Sequence, residues 1–214
     1  IAMAQAGYNV ILVDADLGAA NVHTMFGIDR PRALLEHFVS RKVAHLEDVL
    51  IPTGVPNLRL ICGGMPLPGS ANPNFAQKMR LIKHIEALDS DVVICDIGAG
   101  VGYNVLDLFN AAQIKLAVIT AQLTAVHNGY GFLKSALHRH LLRSVGTAGR
   151  EYLESAGPEA GDESLADMLT RLLSHSPEDA EKAKSEIAQY RAYLVGNMIT
   201  STKEGLVINA VSQM

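Results

Sequence analysis

Two short stretches of this sequence put carboxylates where chemistry is done. The first is Val13-Asp14-Ala15-Asp16-Leu17-Gly18-Ala19-Ala20-Asn21. Two acids two residues apart close an apolar run and precede a glycine, and buried carboxylates are costly unless something pairs with them. Strand alternation sends their side chains to different sides, so Asp14 and Asp16 are expected to do different work. Calcium loops and ordinary strand-end turns also contain Asp-x-Asp-x-Gly, but the calcium reading lacks the later acidic ligands. The second stretch is Ile94-Cys95-Asp96-Ile97-Gly98-Ala99-Gly100. A carboxylate at a strand tip followed by Gly-x-Gly can hold Mg²⁺ beside nucleotide phosphates, directly or through water. The glycines let backbone N–H groups come close to a phosphate. A plainer reading has Asp96 capping the next turn.

These residues need a scaffold, and the sequence predicts one. Apolar runs at Val10–Asp14, Leu58–Cys62, Asp91–Asp96, Leu116–Thr120 and Tyr193–Asn197 are continuous rather than alternating, as in strands covered on both faces of a parallel sheet. Helical segments at 77–88, 105–112 and 130–142 separate them, with Met79, Ile82, Ile85 and Ala87 or Leu88 near one stripe of the first. The expectation is a doubly wound α/β fold, its mostly parallel sheet carrying helices on both faces. Ligands in that architecture sit at the carboxyl ends of the strands, where this sequence keeps Asp14, Asp16, Asp96, Thr120 and Asn197. Residues 146–191 break the rhythm as an acidic helical insertion. Ten acids against five bases lie between Arg150 and Arg191. Gly157-Pro158 and Ser176-Pro177 are its breakers, and Ser176-Pro-Glu-Asp179 reads as a helix start with acids at the positive dipole end. The insertion reads as a solvated face or as a docking surface for a basic partner.

In this order the motifs resemble the MinD/ParA family of P-loop ATPases, nearest in character to its flagellar-number regulators. The resemblance rests on Asp14-Ala-Asp16-Leu-Gly18-x-x-Asn21, then Asp96-Ile-Gly98-Ala-Gly100, then Thr120, then Leu194-Val-Gly-Asn197-Met198. It spans nearly the whole chain outside the acidic insertion. It implies a P-loop NTPase fold binding ATP and Mg²⁺, with bound ATP holding a homodimer together and hydrolysis releasing it, as a dimerisation and localisation switch. Asp16 matches the acid that positions the attacking water, and Asp96 the acid that helps hold Mg²⁺. Asp14, Gly18 and Asn21 lie beside the nucleotide. Gly98 and Gly100 sense its γ-phosphate, and Asn197 reads adenine through an amide that both donates and accepts. Flagellar placement or cargo partitioning is the implied process, with the protein partner unspecified.

The departures are specific. No Lys-Gly-Gly-x-Gly-Lys-Thr/Ser loop is present. Ile1–Tyr8 resembles the end of the helix that follows that loop, which is therefore expected roughly ten residues before Ile1, so that the first strand and the loop are missing. Residues 1–214 read as one nucleotide-binding domain cut at both ends, inactive alone. The family's Thr-Pro-Glu-Pro-Thr reads Thr120-Ala-Gln-Leu-Thr124, and Asn128 stands where an acid is customary. Those changes motivate an alternative, a non-hydrolysing scaffold of the same fold. A Rossmann oxidoreductase lacks support, because no Gly-x-Gly-x-x-Gly follows a first strand.

Composition bounds the rest. With 49% hydrophobic and 19% charged residues, neither disorder nor a coiled coil is expected. A net charge of −4 argues against bulk nucleic-acid binding, and the basic residues Arg30, Arg32, Arg41 and Lys42 are too few to reverse that. No apolar run reaches the roughly 18 residues of a membrane span, so membrane association would require a segment beyond Met214. Cys62 and Cys95 read as buried thiols in a reducing cytoplasm. His138 and His140 read as surface residues, and Gly63–Gly69 as a wide turn or a flexible loop near a partner or nucleotide.

Overall fold

The computed structural model describes residues 1–64, 73–155 and 164–211. Most of the Gly63–Gly69 loop and the Gly157-Pro158 breaker lie outside those residues. The chain forms two compact units, Ile1–Leu108 and Phe109–Met214.

The first unit is built on a four-stranded sheet. β1 (Val10–Asp14) runs between β3 (Leu58–Ile61) and β4 (Val92–Asp96), parallel to both, and β2 (Leu50–Pro52) joins β3 antiparallel at the edge. β1 is buried on both faces, as its unbroken apolar run requires. Val10 packs with Ala4 and Leu58, while Leu60 packs with Val22 and Cys62. Cys62 is buried as expected, whereas Cys95 is half-buried. β2 was not foreseeable from the residues, because three residues ending in proline make a weak strand signal and an edge position.

Helix α1 (Ala2–Gln5) precedes β1, α2 (Leu35–Val39) follows it, and α3 (Phe75–Glu86) leads into β4. Asn74 opens α3 by accepting from the Gln77 amide while Gln77 Oε1 accepts from the Asn74 amide, a reciprocal cap. The buried stripe of α3 is Lys78, Leu81 and Ile82, whereas Met79 and Ile85 are half-buried and Ala87 is exposed. Ile82 and Leu88 are buried as expected, while Lys78 and Leu81 take the core-facing places expected of Met79 and Ile85. Arg80 stacks on Phe38 at 3.9 Å and donates to the Phe38 and Ala44 carbonyls, tying α3 to α2. α4 (Tyr103–Ala111) follows the glycine loop after β4.

The second unit pairs β5 (Leu116–Ile119) with β6 (Tyr193–Gly196) in parallel. α5 (Leu123–Ser144) packs on β5 at Gly129, where a Cβ would stand 2.7 Å from Ile119 Cγ2. Among the described residues three helices, α6 (Thr147–Ser155), α7 (Leu165–His175) and α8 (Pro177–Gln189), separate α5 from β6. Their core joins Leu141, Leu142, Val145, Leu153, Met168, Leu172, Ala180 and Ala183. Ser176 caps α8 as expected, but the Asp179 carboxylate also reaches beyond its own helix. It accepts from Gly146 N at 2.6 Å and Gly149 N at 2.8 Å, so it caps α6 as well. His138 and His140 are both half-buried, and His140 bonds Glu186 at 2.8 Å rather than lying free on the surface. α9 (Thr202–Val211) follows β6.

Candidate functional site at the carboxyl ends of the strands

Asp14 and Asp96 are register partners at the ends of β1 and β4, and the Ala15 amide donates to the Asp96 carbonyl at 2.8 Å. Parallel pairing thus brings both motifs to one sheet edge. The three carboxylates there differ sharply in environment. Asp14 is fully buried. Its Oδ2 accepts from Val22 N at 3.0 Å, and its Oδ1 is buried without a hydrogen-bond partner. Burial raises its pKa above the ordinary carboxylate value, opposed by the Val22 and Asp16 amides and reinforced by the charges of Asp96 and Asp16. Gly63 lets this corner close, since a Cβ there would stand 2.3 Å from Ala20 Cβ and 3.0 Å from the Asp14 carbonyl oxygen.

Asp16 is half-buried and accepts from the amides of Gly18 at 3.1 Å and Ala19 at 3.0 Å through the same oxygen, Oδ1. The glycine loop after β4 presses on this carboxylate. A Cβ on Gly98 would stand 2.9 Å from Asp16 Oδ1. Gly100 takes φ +102°, a backbone conformation that suits glycine. Asp96 is exposed, as are Gly18, Gly100 and Asn21, whose carbonyl accepts from the Thr24 amide and hydroxyl. The sheet edge therefore offers two accessible carboxylates, Asp16 and Asp96, backed by a buried third. Such a pair can orient a water molecule or take a hydrated cation between them. Among the described residues no three His, Cys, Asp or Glu side chains converge as a metal cage.

In the second unit Thr120 and Asn197 follow β5 and β6. The Asn197 amide donates to the Ile119 carbonyl at 2.7 Å, and its side-chain Oδ1 accepts from Met198 N at 2.9 Å. Met198 is 77% exposed at φ +56°, an uncommon conformation for a residue with a Cβ. The sequence motifs did not point to Gly63 as the close contact of Asp14, nor to Lys78 in the core stripe of α3. The only signal was Gly63-Gly64 directly after a strand.

The fold is that of the P-loop nucleoside triphosphatases, a mostly parallel sheet flanked by helices. Solved structures that share it include the cell division ATPase MinD of Pyrococcus furiosus, with a TM-score of 0.54 at 16% identity over 99% of this chain and 88% of that one. The septum site-determining protein MinD of Pyrococcus horikoshii, solved with Mg-ADP, matches with a TM-score of 0.53 at 15% identity over 99% and 85%. Two proteins are similar in sequence over part of the chain. The antiactivator FleN of Pseudomonas aeruginosa is 30% identical over 136 residues, 63% of this chain and 48% of that protein. The flagellum site-determining protein YlxH of Helicobacter pylori is 27% identical over 139 residues, 60% and 43%. No protein-family model matches the chain, which spans about half the length or less of these sequence relatives.

Proposed function

We propose that this chain supplies the carboxylate edge of a MinD/ParA-type ATPase acting as an ATP-dependent dimerisation and localisation switch. The observation that carries the reading is the pairing of Asp14 with Asp96, with Gly98 against Asp16, at the carboxyl edge of a parallel sheet. The residues fit Mg²⁺ and a triphosphate: Asp96 is exposed at a strand tip, and exposed Gly100 and Gly102 beside it leave backbone open to an anion. Asp96 is the residue that would hold Mg²⁺, directly or through water. When bound, the ion neutralises phosphate charge.

The chain's own residues have separable tasks. Asp16 orients a water through whichever oxygen the Gly18 and Ala19 amides leave available. Asp14 acts from beneath, bracing the turn through Val22. Gly98 and Gly100 bring backbone near the γ-phosphate, and Asn197 offers an amide to adenine. YlxH is named as a flagellum site-determining protein, which favours flagellar placement or number control as the process over cargo partitioning.

A second reading, a scaffold that binds without hydrolysis, is motivated by Thr120-Ala-Gln-Leu-Thr124 and Asn128. Sedimentation of this chain together with a phosphate-binding loop tests both. The switch predicts dimers in Mg-ATP that revert to monomers as ATP is consumed, and that persist in the Asp16→Ala variant. Dimers that persist without the substitution favour the scaffold. The same mass in ATP, ADP and buffer contradicts the proposal.

A further inference from the structure

Lys78 is a lysine in the core stripe of a helix. It is 4% exposed, and its ammonium pairs with Asp107, itself 1% exposed. The same ammonium reaches the Tyr103 carbonyl at 3.5 Å and lies 5.9 Å from the centre of the Phe75 ring. Burying two charges costs desolvation that apolar residues of similar volume would avoid, so such a pair is weak evidence for stability. Its location is more informative. Tyr103 opens α4 and Asp107 lies one turn further on, so one ammonium fixes the first turn of α4 at both ends. A cation at that end also opposes the helix dipole, which leaves the Asp107 carboxylate as its compensating charge.

Between Asp96 and Tyr103 lie only Ile97–Gly102. The strand end of this loop is fixed by the bond from Ala15 N to the Asp96 carbonyl. The helix end is fixed by where α4 begins. Ala99, Gly100, Val101 and Gly102 are exposed, so little burial holds the loop itself. Gly98 must nevertheless stay within contact of Asp16.

We propose that the buried Lys78–Asp107 pair is a positioning device that fixes α4 so that the Ile97–Gly102 loop holds Gly98 against Asp16. The pair acts through the helix. Its consequence for turnover rests on the function proposed above; its consequence for the loop does not.

The test replaces the pair by Lys78→Met with Asp107→Leu, apolar groups of similar size, in the 214-residue chain. Asp107→Asn, which keeps the shape but leaves the Lys78 ammonium without its compensating charge, is the second, harsher variant. The expected result is a melting temperature near that of the parent for the double variant. Its Gly98, Ala99 and Gly100 amides gain relaxation dispersion on the μs–ms scale, while β1 amides are unchanged. Asp107→Asn shows the same dispersion. Flat dispersion and unshifted loop resonances in either folded variant overturn the proposal and reduce the pair to packing. In a protein that also carries the phosphate-binding loop, the double variant is expected to lose turnover about tenfold with ATP affinity kept. If that protein lacks ATPase activity before any substitution, the functional reading fails while the dispersion result still decides the positioning role.

Discussion

Asp14 and Asp16 illustrate how two identical side chains two residues apart acquire different chemistry. Asp14 carries a raised pKa, so the folded state favours its protonated form. Its effect on stability is most favourable below the ordinary carboxylate pKa and is lost as pH rises through the higher folded value. Asp14→Asn keeps an oxygen for the Val22 amide and removes the buried charge. It is expected to raise the melting temperature at pH 7 and to flatten stability between pH 4 and 7, checked by thermal unfolding across about that range. Asp14→Ala leaves Val22 N unpaired and is expected to cost about 1–3 kcal/mol. Gly98→Ala is the complementary change. Its Cβ must displace an Asp16 oxygen that two amides hold, so it should cost under about 1 kcal/mol of stability. In a hydrolysing protein it should lower turnover about tenfold or more, since a small misplacement of a positioning group is expensive. The pairing of the two Asp motifs was readable in the sequence because each closes an apolar run. The orphaned Asp14 oxygen and the press of Gly98 were not, because they depend on how segments distant in sequence pack together.

At the scale of elements, apolar runs identified β1, β3, β4, β5 and β6, although β3 is interrupted by Arg59 and β5 and β6 present an exposed face. The short, proline-ended β2 escaped. α5 begins at Leu123, well before the stretch expected from periodicity, and runs through Asn128 and Gly129, which are poor helix formers. Packing explains it, because only glycine at 129 lets the helix lie this close to Ile119. The cap of α6 by Asp179 was likewise invisible, its partners being 33 and 30 residues away. The Gly146 amide, then the Ser176 hydroxyl and the Gly149 amide, hold the Asp179 carboxyl below its ordinary pKa, against the opposing effect of burial. The stabilisation is therefore present above the unfolded-state pKa and is lost as pH falls through the lower folded value. Asp179→Ala is expected to cost about 1–2 kcal/mol at pH 7 and progressively less in acid, by denaturant titration at several pH values. Gly149→Ala, whose Cβ would stand 2.7 Å from Asp179 Oδ2, should mimic it without removing the charge.

At the scale of the whole molecule, the chain contains a carboxylate edge but no glycine-rich loop with lysines. Backbone N–H groups and a lysine supply most phosphate contacts in such sites. Calorimetry of this chain with Mg-ATP is therefore expected to show no binding in the micromolar range, and a micromolar Kd would contradict that division of labour. Among the described residues no helix is long and apolar enough to cross a membrane. Within the second unit, Leu116 and Val118 stand opposite Tyr193 and Val195 on an exposed face of the β5–β6 pair. Parallel strands are ordinarily covered on both faces. The chain alone should accordingly bind a hydrophobic dye, and Val118→Ser with Tyr193→Ser should reduce that signal.

Single-turnover hydrolysis by Asp16→Ala is the most direct test of Asp16 as the water-orienting carboxylate. The protein for that measurement carries this chain together with a phosphate-binding loop. A group that acts in the transition state leaves ground-state affinity nearly intact when removed. The expected result is a rate lower by about 10²-fold or more, with ATP affinity and melting temperature close to those of the parent. A rate that persists while the melting temperature drops would make Asp16 a cap for Gly18 and Ala19, and would contradict the catalytic assignment.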